Sequence, residues 1–182
     1  MKKYLVPALV FVLTLAMVIT MFCCPDTDVQ KYAKNTPVMD PREYFNGKVE
    51  ATGIFIDRSG MADPYFHIAM NGTWKGEDGA IAETFTYSDG RKNERTWNIR
   101  FVDKTHFIGT AHDVVGEARG EISGNAMHIR YVLRVPVKGG KTYDLSMSDW
   151  MWRLDAETVI NRIEMSKFGF RVGQLIVTFR KL

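Results

Sequence analysis

The residues of this chain best suited to binding chemistry concentrate in one stretch near its carboxyl end. The run Asp149–Arg153 contains two indoles, and a polar pair, Asn161 and Arg162, follows across a short turn. Because side chains alternate along a strand, Trp150 and Trp152 are expected on one face together, where Arg162 stacks on an indole or binds a carboxylate. Two interpretations stay open: the wall and polar anchor of a pocket for an acyl chain, or a structural arginine that closes a barrel end over a tryptophan.

Three further residues complete the predicted ligand-binding set, and they lie in the two segments with the clearest alternation. Trp97 opens an apolar series that continues with Ile99 and Phe101, whereas Arg130 and Tyr131 belong to opposite faces of a second alternating segment. Alternation with a period of two indicates strands with one apolar and one polar face. The residues predicted to contact a ligand are therefore Trp97, Arg130, Tyr131, Trp150, Trp152 and Arg162.

The histidines form no metal site that the sequence can identify. His106 and His112 share a strand face, but at roughly 3.3 Å per residue they stand about 20 Å apart, too far for one ion. His67 and His128 have no neighbour at ligand spacing, and all four histidines are expected on solvated faces. Ligation of a haem by a single histidine stays open on spacing alone.

No catalytic motif is found in the sequence. Nucleophile elbows, zinc-protease helices, phosphate loops and dinucleotide fingerprints are all absent. The segment from Gly116 to Gly120 mimics a glycine-rich loop, but it lies in an alternating segment and opens no helix, so close packing or a bulge at a barrel corner is expected. No catalytic residue and no cofactor are predicted.

Composition is that of an ordinary globular chain and argues against nucleic-acid binding. Hydrophobic residues make up 46% and charged residues 25% of the 182 residues, which supplies a sizeable core in one domain. Without Lys2 and Lys3, which precede the first apolar run, the formal net charge of +3 falls to +1. A near-neutral domain without a dense basic stripe has no electrostatic basis for binding a phosphate backbone.

Residues 1–24 predict a signal peptide or membrane anchor. Two lysines precede the uncharged run Tyr4–Phe22, and the only two cysteines of the chain follow it. The run is close to the roughly 20 residues that cross a bilayer, so an uncleaved anchor and a cleaved signal both stay open. In the second case Cys24 is the predicted site of lipid modification. Either way the domain is expected in a bacterial cell envelope, tethered to the membrane and facing the periplasm.

A short linker and one helical turn are predicted before the main domain. Residues 25–39 are polar and aperiodic, as in a spacer. Asp40–Glu43 combines an N-cap residue, a proline at the first helical position and an acidic residue in the first turn. Tyr44 and Phe45 then follow and are free to plug an apolar opening. The domain itself is predicted to span 40–182.

From Gly47 onward the pattern has a period of two, with turn signals about every ten residues. Ten antiparallel strands joined by tight turns hide their edges most completely by closing into a barrel. We therefore predict an all-β fold, an antiparallel up-and-down barrel with an N-terminal signal or anchor helix. Its predicted strands are 48–57, 65–74, 80–87, 95–102, 106–112, 115–122, 126–135, 142–152, 158–166 and 172–180.

Five short motifs resemble the DUF3833 family of bacterial lipoproteins. They are Tyr44-Phe45-Asn46-Gly47, Asp57-Arg58-Ser59-Gly60, Asp113-Val114-Val115-Gly116, Ser148-Asp149-Trp150-Met151, and Asn161-Arg162 with Met165-Ser166-Lys167-Phe168-Gly169. The resemblance spans nearly all of the chain after the first apolar run. It implies a lipocalin-like fold and an association with lipid handling, and it implies no defined activity.

These observations predict a membrane-tethered envelope lipoprotein that binds a hydrophobic small molecule, a fatty acid or lipid, as a carrier or as an accessory to lipid modification. Two alternatives are a lipid-acting enzyme of the isomerase or hydratase type and a purely structural lipoprotein with a solidly packed barrel. A buried group with a perturbed pKa would favour the enzyme. A cavity volume separates the packed barrel from the other two, since a ligand site needs roughly 300 Å³ or more.

Overall fold

The computed structural model of the chain describes residues 27–137 and 139–182. The predicted signal or anchor segment, including Cys24, lies outside the described residues. Among the residues that are described, no helix has the length and apolar character needed to cross a bilayer.

Ten antiparallel strands form a closed barrel, which confirms the predicted fold class. Each strand pairs with its neighbour in sequence, and β1 pairs with β10 to close the barrel. The strands are β1 (Gly47–Asp57), β2 (Ala62–Lys75), β3 (Asp78–Tyr87), β4 (Lys92–Phe101), β5 (His106–Thr110), β6 (Ala118–Ser123), β7 (Ala126–Pro136), β8 (Thr142–Arg153), β9 (Thr158–Lys167) and β10 (Phe170–Lys181).

The main difference from the predicted strands lies between β5 and β6, where residues 111–117 form a loop. This loop turns away from the sheet ladder and lies along β7: the Val115 backbone N–H donates to the carbonyl oxygen of Val132 (2.9 Å), and the Arg134 N–H donates to that of Asp113 (2.8 Å). Gly116 has a φ of 73°, a left-handed conformation that ends the alternation.

One end of the barrel, which we call the plugged end, is closed by the short helix α1 (Pro41–Tyr44). The Asp40 carboxylate caps it by accepting from the Arg42 backbone N–H at 2.9 Å, as the N-cap pattern predicts. Tyr44 and Phe45 are buried in the main apolar cluster, as predicted, and the Phe45 ring meets Phe179 edge to face. The plug therefore seals the barrel with aromatic rings.

Two basic side chains hold the plug in place. Arg153 donates to the Val38 carbonyl oxygen (3.0 Å) and to the Glu43 carboxylate (2.9 Å). Lys181 donates to the three carbonyl oxygens that end α1, those of residues 43, 44 and 46. Orphan carbonyls at a helix end need such donors. The opposite end of the barrel, which we call the far end, carries the β1–β2, β3–β4, β5–β6, β7–β8 and β9–β10 connections.

The segment predicted as a spacer packs against the outside of the barrel from Val29 onward. A 3₁₀ turn, Val29–Tyr32, buries Val29 against β7 and β8. The Gln30 side chain donates to the Glu121 carboxylate at 2.6 Å, and Met39 is fully buried. A segment without periodic hydrophobicity thus contributes isolated apolar contacts that a pattern search does not detect.

Candidate functional site

The barrel encloses a cavity between two apolar clusters. The larger cluster fills the plugged end, and a smaller one around Tyr131, Met147 and Met165 lies toward the far end. The cavity volume is about 100 Å³. Most of its lining is aliphatic, aromatic or thioether, contributed by residues of the nine strands β2 to β10 and by the plug residues Pro41 and Phe45.

An ion-pair network interrupts this apolar lining on β3 and β4. The Arg95 Nε donates to the Glu83 carboxylate at 2.8 Å, and its Nη1 lies 3.5 Å from Asp113 Oδ2 in the β5–β6 loop. Its guanidinium carbon lies 5.1 Å from the ring centroid of Trp97 and 5.3 Å from that of Phe85. Arg95 therefore links two carboxylates and two aromatic faces.

A second polar group extends across the cavity from β7 to β9. The Asn161 amide donates to Asp149 Oδ1 (2.6 Å) and to the carbonyl oxygen of Trp150 (2.9 Å). The Tyr131 hydroxyl donates more weakly to Asp149 Oδ2, at 3.4 Å. Asp149, Asn161 and Tyr131 are all buried, so this carboxyl group exchanges water for two protein donors.

Burial perturbs the titration of these groups. Desolvation raises the pKa of Asp149 to about 7, although the Asn161 hydrogen bond and the positive charge of Arg95 oppose it. Burial also raises the pKa of Glu83, and the Arg95 guanidinium opposes that shift. The hydroxyl of Tyr131 has a pKa well above its ordinary value for the same reason. Burial therefore makes the carboxyl group of Asp149 hold its proton to a higher pH than it does in water.

The charge balance and the unpaired atoms determine which chemical group fits this cavity. Three carboxyl groups, those of Glu83, Asp113 and Asp149, surround the single cation Arg95, so the network carries excess negative charge. One buried acceptor atom of a residue that lines the cavity, Asn161 Oδ1, has no hydrogen-bond partner among the described residues, and Asp113 Oδ1 beside Arg95 in the β5–β6 loop has none either. Buried acceptors without partners are costly and favour a donor.

Two of the residues predicted from sequence to contact a ligand lie in this cavity. Trp97 and Tyr131 line it, and their rings meet edge to face at a centroid distance of 5.4 Å. Their neighbours on the same face, Ile99 and Ile129, also line it. The alternation that selected these strands therefore separates inside from outside correctly.

The other four predicted residues lie on the outside of the barrel. Trp150 and Trp152 do share one face, as predicted, and their rings stack at 5.8 Å, with the Arg162 guanidinium 5.9 Å from the Trp152 ring. This face is opposite to the one that lines the cavity, and the 3₁₀ turn covers Trp150 through Tyr32. Arg130 also lies outside, beside Ser148 in a surface groove of β7 and β8. The arginine that holds the plug is Arg153, above the ring of Tyr44.

One histidine differs from its predicted environment. His128 was expected on a solvated face, but it is buried because its ring stacks on Trp150 at 4.1 Å beneath the N-terminal segment. Its Nε2 lies 2.9 Å from the Ser148 hydroxyl. Within the described part of the chain, no three histidine, cysteine or carboxylate side chains form a cluster able to hold a metal ion.

The polar residues of the cavity were missed, although the sequence contains a signal for them. The apolar series on β4 that begins at Trp97 extends two residues back to Arg95, which places a charge on the apolar face. Glu83 stands in the same way between Ile81 and Phe85, and Asp149 between two methionines. A charged residue in register with an apolar face is the pattern that identifies a buried polar network.

Comparisons with known proteins agree with this architecture. The family model described as "Protein of unknown function (DUF3833)" matches residues 18–181. A protein of unknown function from the DUF3598 family of Nostoc punctiforme PCC 73102 has a TM-score of 0.54 at 12% identity, over 81% of this chain and 51% of that protein. This chain thus spans about half the length of the Nostoc protein.

A second solved structure, the S-type phycobiliprotein lyase CPES from Guillardia theta, has a TM-score of 0.57 at 6% identity, over 86% of this chain and 98% of the lyase. At these identities both likenesses concern the fold alone. No curated protein matches the chain.

Proposed function

Because this chain belongs to the DUF3833 family, whose description assigns no activity, we propose from the geometry of its barrel that it binds a hydrophobic small molecule of the lipid type. The observation that carries the proposal is the apolar cavity inside the barrel, whose lining includes one buried acceptor atom without a partner, Asn161 Oδ1. Closed barrels of this size hold one small ligand when side chains leave the interior unfilled.

The cavity volume limits what enters without rearrangement. At about 100 Å³ it is smaller than the roughly 300 Å³ of an ordinary ligand pocket, so by volume alone the barrel is closer to the packed, purely structural alternative, and binding requires the interior to rearrange. Three methionines, Met70, Met127 and Met151, line the cavity, and their unbranched side chains adopt new rotamers easily. We propose that an acyl chain enters by displacing these thioethers toward the barrel wall, so that methionine flexibility takes the place of a preformed tunnel.

The polar end of the ligand is proposed to be a hydrogen-bond donor. Asn161 Oδ1, in the cavity lining, is free to accept a hydrogen bond, and the excess of carboxyl groups around Arg95 repels an anion. A long-chain alcohol, a hydroxylated lipid or an amine satisfies both conditions. A fatty acid satisfies them only in its protonated form.

A membrane tether through Cys24 remains part of the proposal. The apolar run Tyr4–Phe22 and the cysteine pair support it, as does the packing of the chain onto the barrel from Val29. A lipid on Cys24 would hold the barrel close to a bilayer in the bacterial envelope. Metabolic labelling with an alkyne fatty acid tests this step: the native chain becomes labelled and Cys24→Ser does not, whereas equal labelling of both excludes Cys24.

The enzymatic alternative has one specific observation in its favour. Asp149 has a pKa of about 7 and faces the cavity, as expected for a general acid or base in an isomerase or hydratase. The binding proposal accounts for Asp149 without catalysis, as the acceptor of Asn161 and Tyr131. Turnover of a bound unsaturated lipid that stops in Asp149→Asn would favour the enzyme.

Native mass spectrometry and lipid extraction of Pro25–Leu182, purified from a bacterial periplasm, test the binding proposal. We expect a co-purified hydrophobic molecule and uptake of the neutral probe N-phenyl-1-naphthylamine. Matched ten-carbon competitors then test the polar end: at pH 8, decanol and decylamine displace the probe at lower concentration than decanoate. Preferred binding of decanoate would overturn the donor assignment and leave the binding function intact.

A pair of neighbouring substitutions serves as the matched control. Ala118 is buried in the cavity wall, whereas Arg119 faces solvent, so Ala118→Leu fills the cavity and Arg119→Leu does not. Because the larger side chain takes up space that the probe would occupy, we expect Ala118→Leu to weaken probe binding about tenfold, which corresponds to about 1.4 kcal/mol of binding free energy. A chain that carries no lipid and takes up no probe would instead support the packed, purely structural barrel.

A further inference from the structure

The far end of the barrel carries exposed apolar side chains on adjacent loops. Phe168 and Phe170, in the β9–β10 turn, are 89% and 71% exposed, and Met61 in the β1–β2 turn is 66% exposed. Tyr143, beside the β7–β8 turn, is 46% exposed. We call these four residues the far-end rim. Single exposed apolar residues are ordinary, but four on neighbouring turns form a patch.

Contacts between the turns show that the rim is one surface. The β1–β2 and β9–β10 turns share a groove lined by Arg58 and Arg171. The Lys167 ammonium lies 3.9 Å from the Tyr143 ring centroid and 5.3 Å from that of Phe168, which joins the β7–β8 and β9–β10 turns. The three turns thus place aromatic rings and cations side by side.

The conformation of Phe168 does not serve the fold. Its φ is 52°, and Gly169 follows with a φ of 81°, so the pair forms a two-residue turn with both residues in the left-handed region. Asn, Asp and Gly suit the first position of such a turn, whereas a bulky residue there is strained. A phenylalanine that is both strained and exposed contributes nothing to the packed core. Strain of this kind points to a function at the turn.

The charges around the rim complement an anionic surface. Arg58, Lys167 and Arg171 adjoin the phenylalanines, and Lys141 lies in the β7–β8 turn. Three carboxylates lie nearby, and two of them already have partners. Asp57 accepts hydrogen bonds from Ser59 and Met61 within its own turn, and Asp144 pairs with Arg134 at 2.8 Å. Asp63 adds one more negative charge. Cations beside exposed aromatic side chains are the composition of a surface that enters the headgroup layer of a bilayer.

We propose that the far-end rim docks on an anionic lipid bilayer, with Phe168 and Phe170 inserted among the headgroups and the flanking Lys and Arg side chains paired with lipid phosphates. The inference stands on the rim alone and does not depend on a ligand in the cavity. If the cavity does bind lipid, the rim holds that end of the barrel at the source of the ligand.

Vesicle sedimentation of Pro25–Leu182, which contains the plug and all ten strands, tests the proposal. We expect binding to vesicles of phosphatidylcholine and phosphatidylglycerol in equal parts, weaker binding at high salt, and little binding to phosphatidylcholine alone. The variant Phe168→Asn/Phe170→Ser should lower the partition coefficient about tenfold or more, because it removes the apolar area that enters the bilayer. A Phe168→Trp variant should shift its emission to shorter wavelength on the anionic vesicles.

Stability separates docking from a structural role. Asparagine suits the left-handed position, so Phe168→Asn should melt at the same or a higher temperature while it loses vesicle binding. Val102→Ser/Leu154→Ser, which removes two exposed apolar side chains at the plugged end, is the matched control and should bind vesicles as the native chain does. Equal binding by the rim variant would overturn the proposal. So would a rim-dependent dimer in light scattering without any vesicle binding, since the rim would then be an interface between two copies.

Discussion

Single residues inside this barrel carry charge at positions where the strand pattern calls for apolar side chains. Arg95 offsets part of the cost by pairing with Glu83 and Asp113, and Asn161 and Tyr131 supply donors to Asp149. A buried carboxyl group without its own cation keeps a proton more tightly than it does in water. Asp149 is therefore the residue at which pH acts most directly on this protein.

The prediction at this scale concerns Asp149→Asn. The carboxyl pKa is 3.8 in the unfolded chain and about 7 in the fold, so the fold binds the proton more tightly, and its stability falls as pH rises through this window. The asparagine does not titrate: its Oδ1 still accepts from Asn161, and its Nδ2 donates to the Tyr131 hydroxyl oxygen, which reverses the direction of that long hydrogen bond. One pKa unit corresponds to about 1.4 kcal/mol. We therefore expect the unfolding free energy of the variant, relative to that of the native chain, to rise by a few kcal/mol between pH 5 and pH 8.

Urea unfolding at both pH values measures this gain. Other groups facing Asp149 titrate too. Because the pKa of Glu83 is also raised, the unfolding free energy of the variant should still fall with pH, but with a smaller slope than that of the native chain. Asp144→Asn is the control, because Asp144 is exposed and Arg134 lowers its pKa, which places its effect below pH 5. If the unfolding free energies of the native chain and of Asp149→Asn depend on pH in the same way, burial does not raise the pKa of Asp149 as proposed.

At the scale of elements, the plug shows how two basic residues from distant strands fix a four-residue helix. Such a helix has almost no stability of its own. Arg153 at the end of β8 donates hydrogen bonds to Val38, in the segment before α1, and to the Glu43 carboxylate. Lys181 at the end of β10 donates to the carbonyl groups at the carboxyl end of α1. The plug therefore forms only when the barrel closes and brings both strand ends together.

Arg153→Met and Arg162→Met form a matched pair that tests this account. The Arg153 side chain is 8% exposed and donates to the carbonyl oxygens of Val38 and Asp155 in partly buried hydrogen bonds, whereas the Arg162 side chain is 45% exposed. We expect Arg153→Met to lose about 2–4 kcal/mol of unfolding free energy, since acceptors would be left without donors. Arg162→Met should lose less than about 1 kcal/mol. Equal losses in thermal or urea unfolding would refute the role of Arg153.

At the scale of the whole molecule, the N-terminal segment and the far-end rim lie at opposite ends of the barrel. The 3₁₀ turn packs near the plugged end, beside Gly124 in the β6–β7 turn, whereas Phe168 marks the far end. Strands such as β10, with 12 residues, span about 30 Å along a tilted barrel axis. The five residues from Cys24 to Val29 reach at most about 17 Å. A short tether and a distant rim favour contact with two different surfaces.

This geometry predicts vesicle bridging, and it rests on both the Cys24 tether and the rim proposal. The full chain, inserted through its N-terminal segment into phosphatidylcholine vesicles, should cluster added anionic vesicles and raise their turbidity. Phe168→Asn/Phe170→Ser in the same vesicles should not. If the native chain binds anionic lipid but never clusters vesicles, the barrel lies on its side and the rim meets the bilayer that holds the tether.

The sequence by itself determined the ten strands, the closed barrel and the plug, because these follow from local signals. A period of two, turn glycines such as Gly60 and Gly90, and the Asp40-Pro41 cap act within a few residues of each other. These local signals favour the same strands and turns in any environment in which the chain folds. The exception, residues 111–117, lost its predicted strand because its hydrogen bonds go to β7.

Only the tertiary structure decided which side of each strand is the inside and what covers the outside. Alternation correctly put Trp150 and Trp152 on one face, but that face became buried through contact with Tyr32, a residue from far away in sequence. A buried indole therefore does not identify a residue that lines the cavity. The polar network likewise exists because barrel closure brings β3, β4, β8 and β9 around one space, and no spacing within a single strand encodes that meeting.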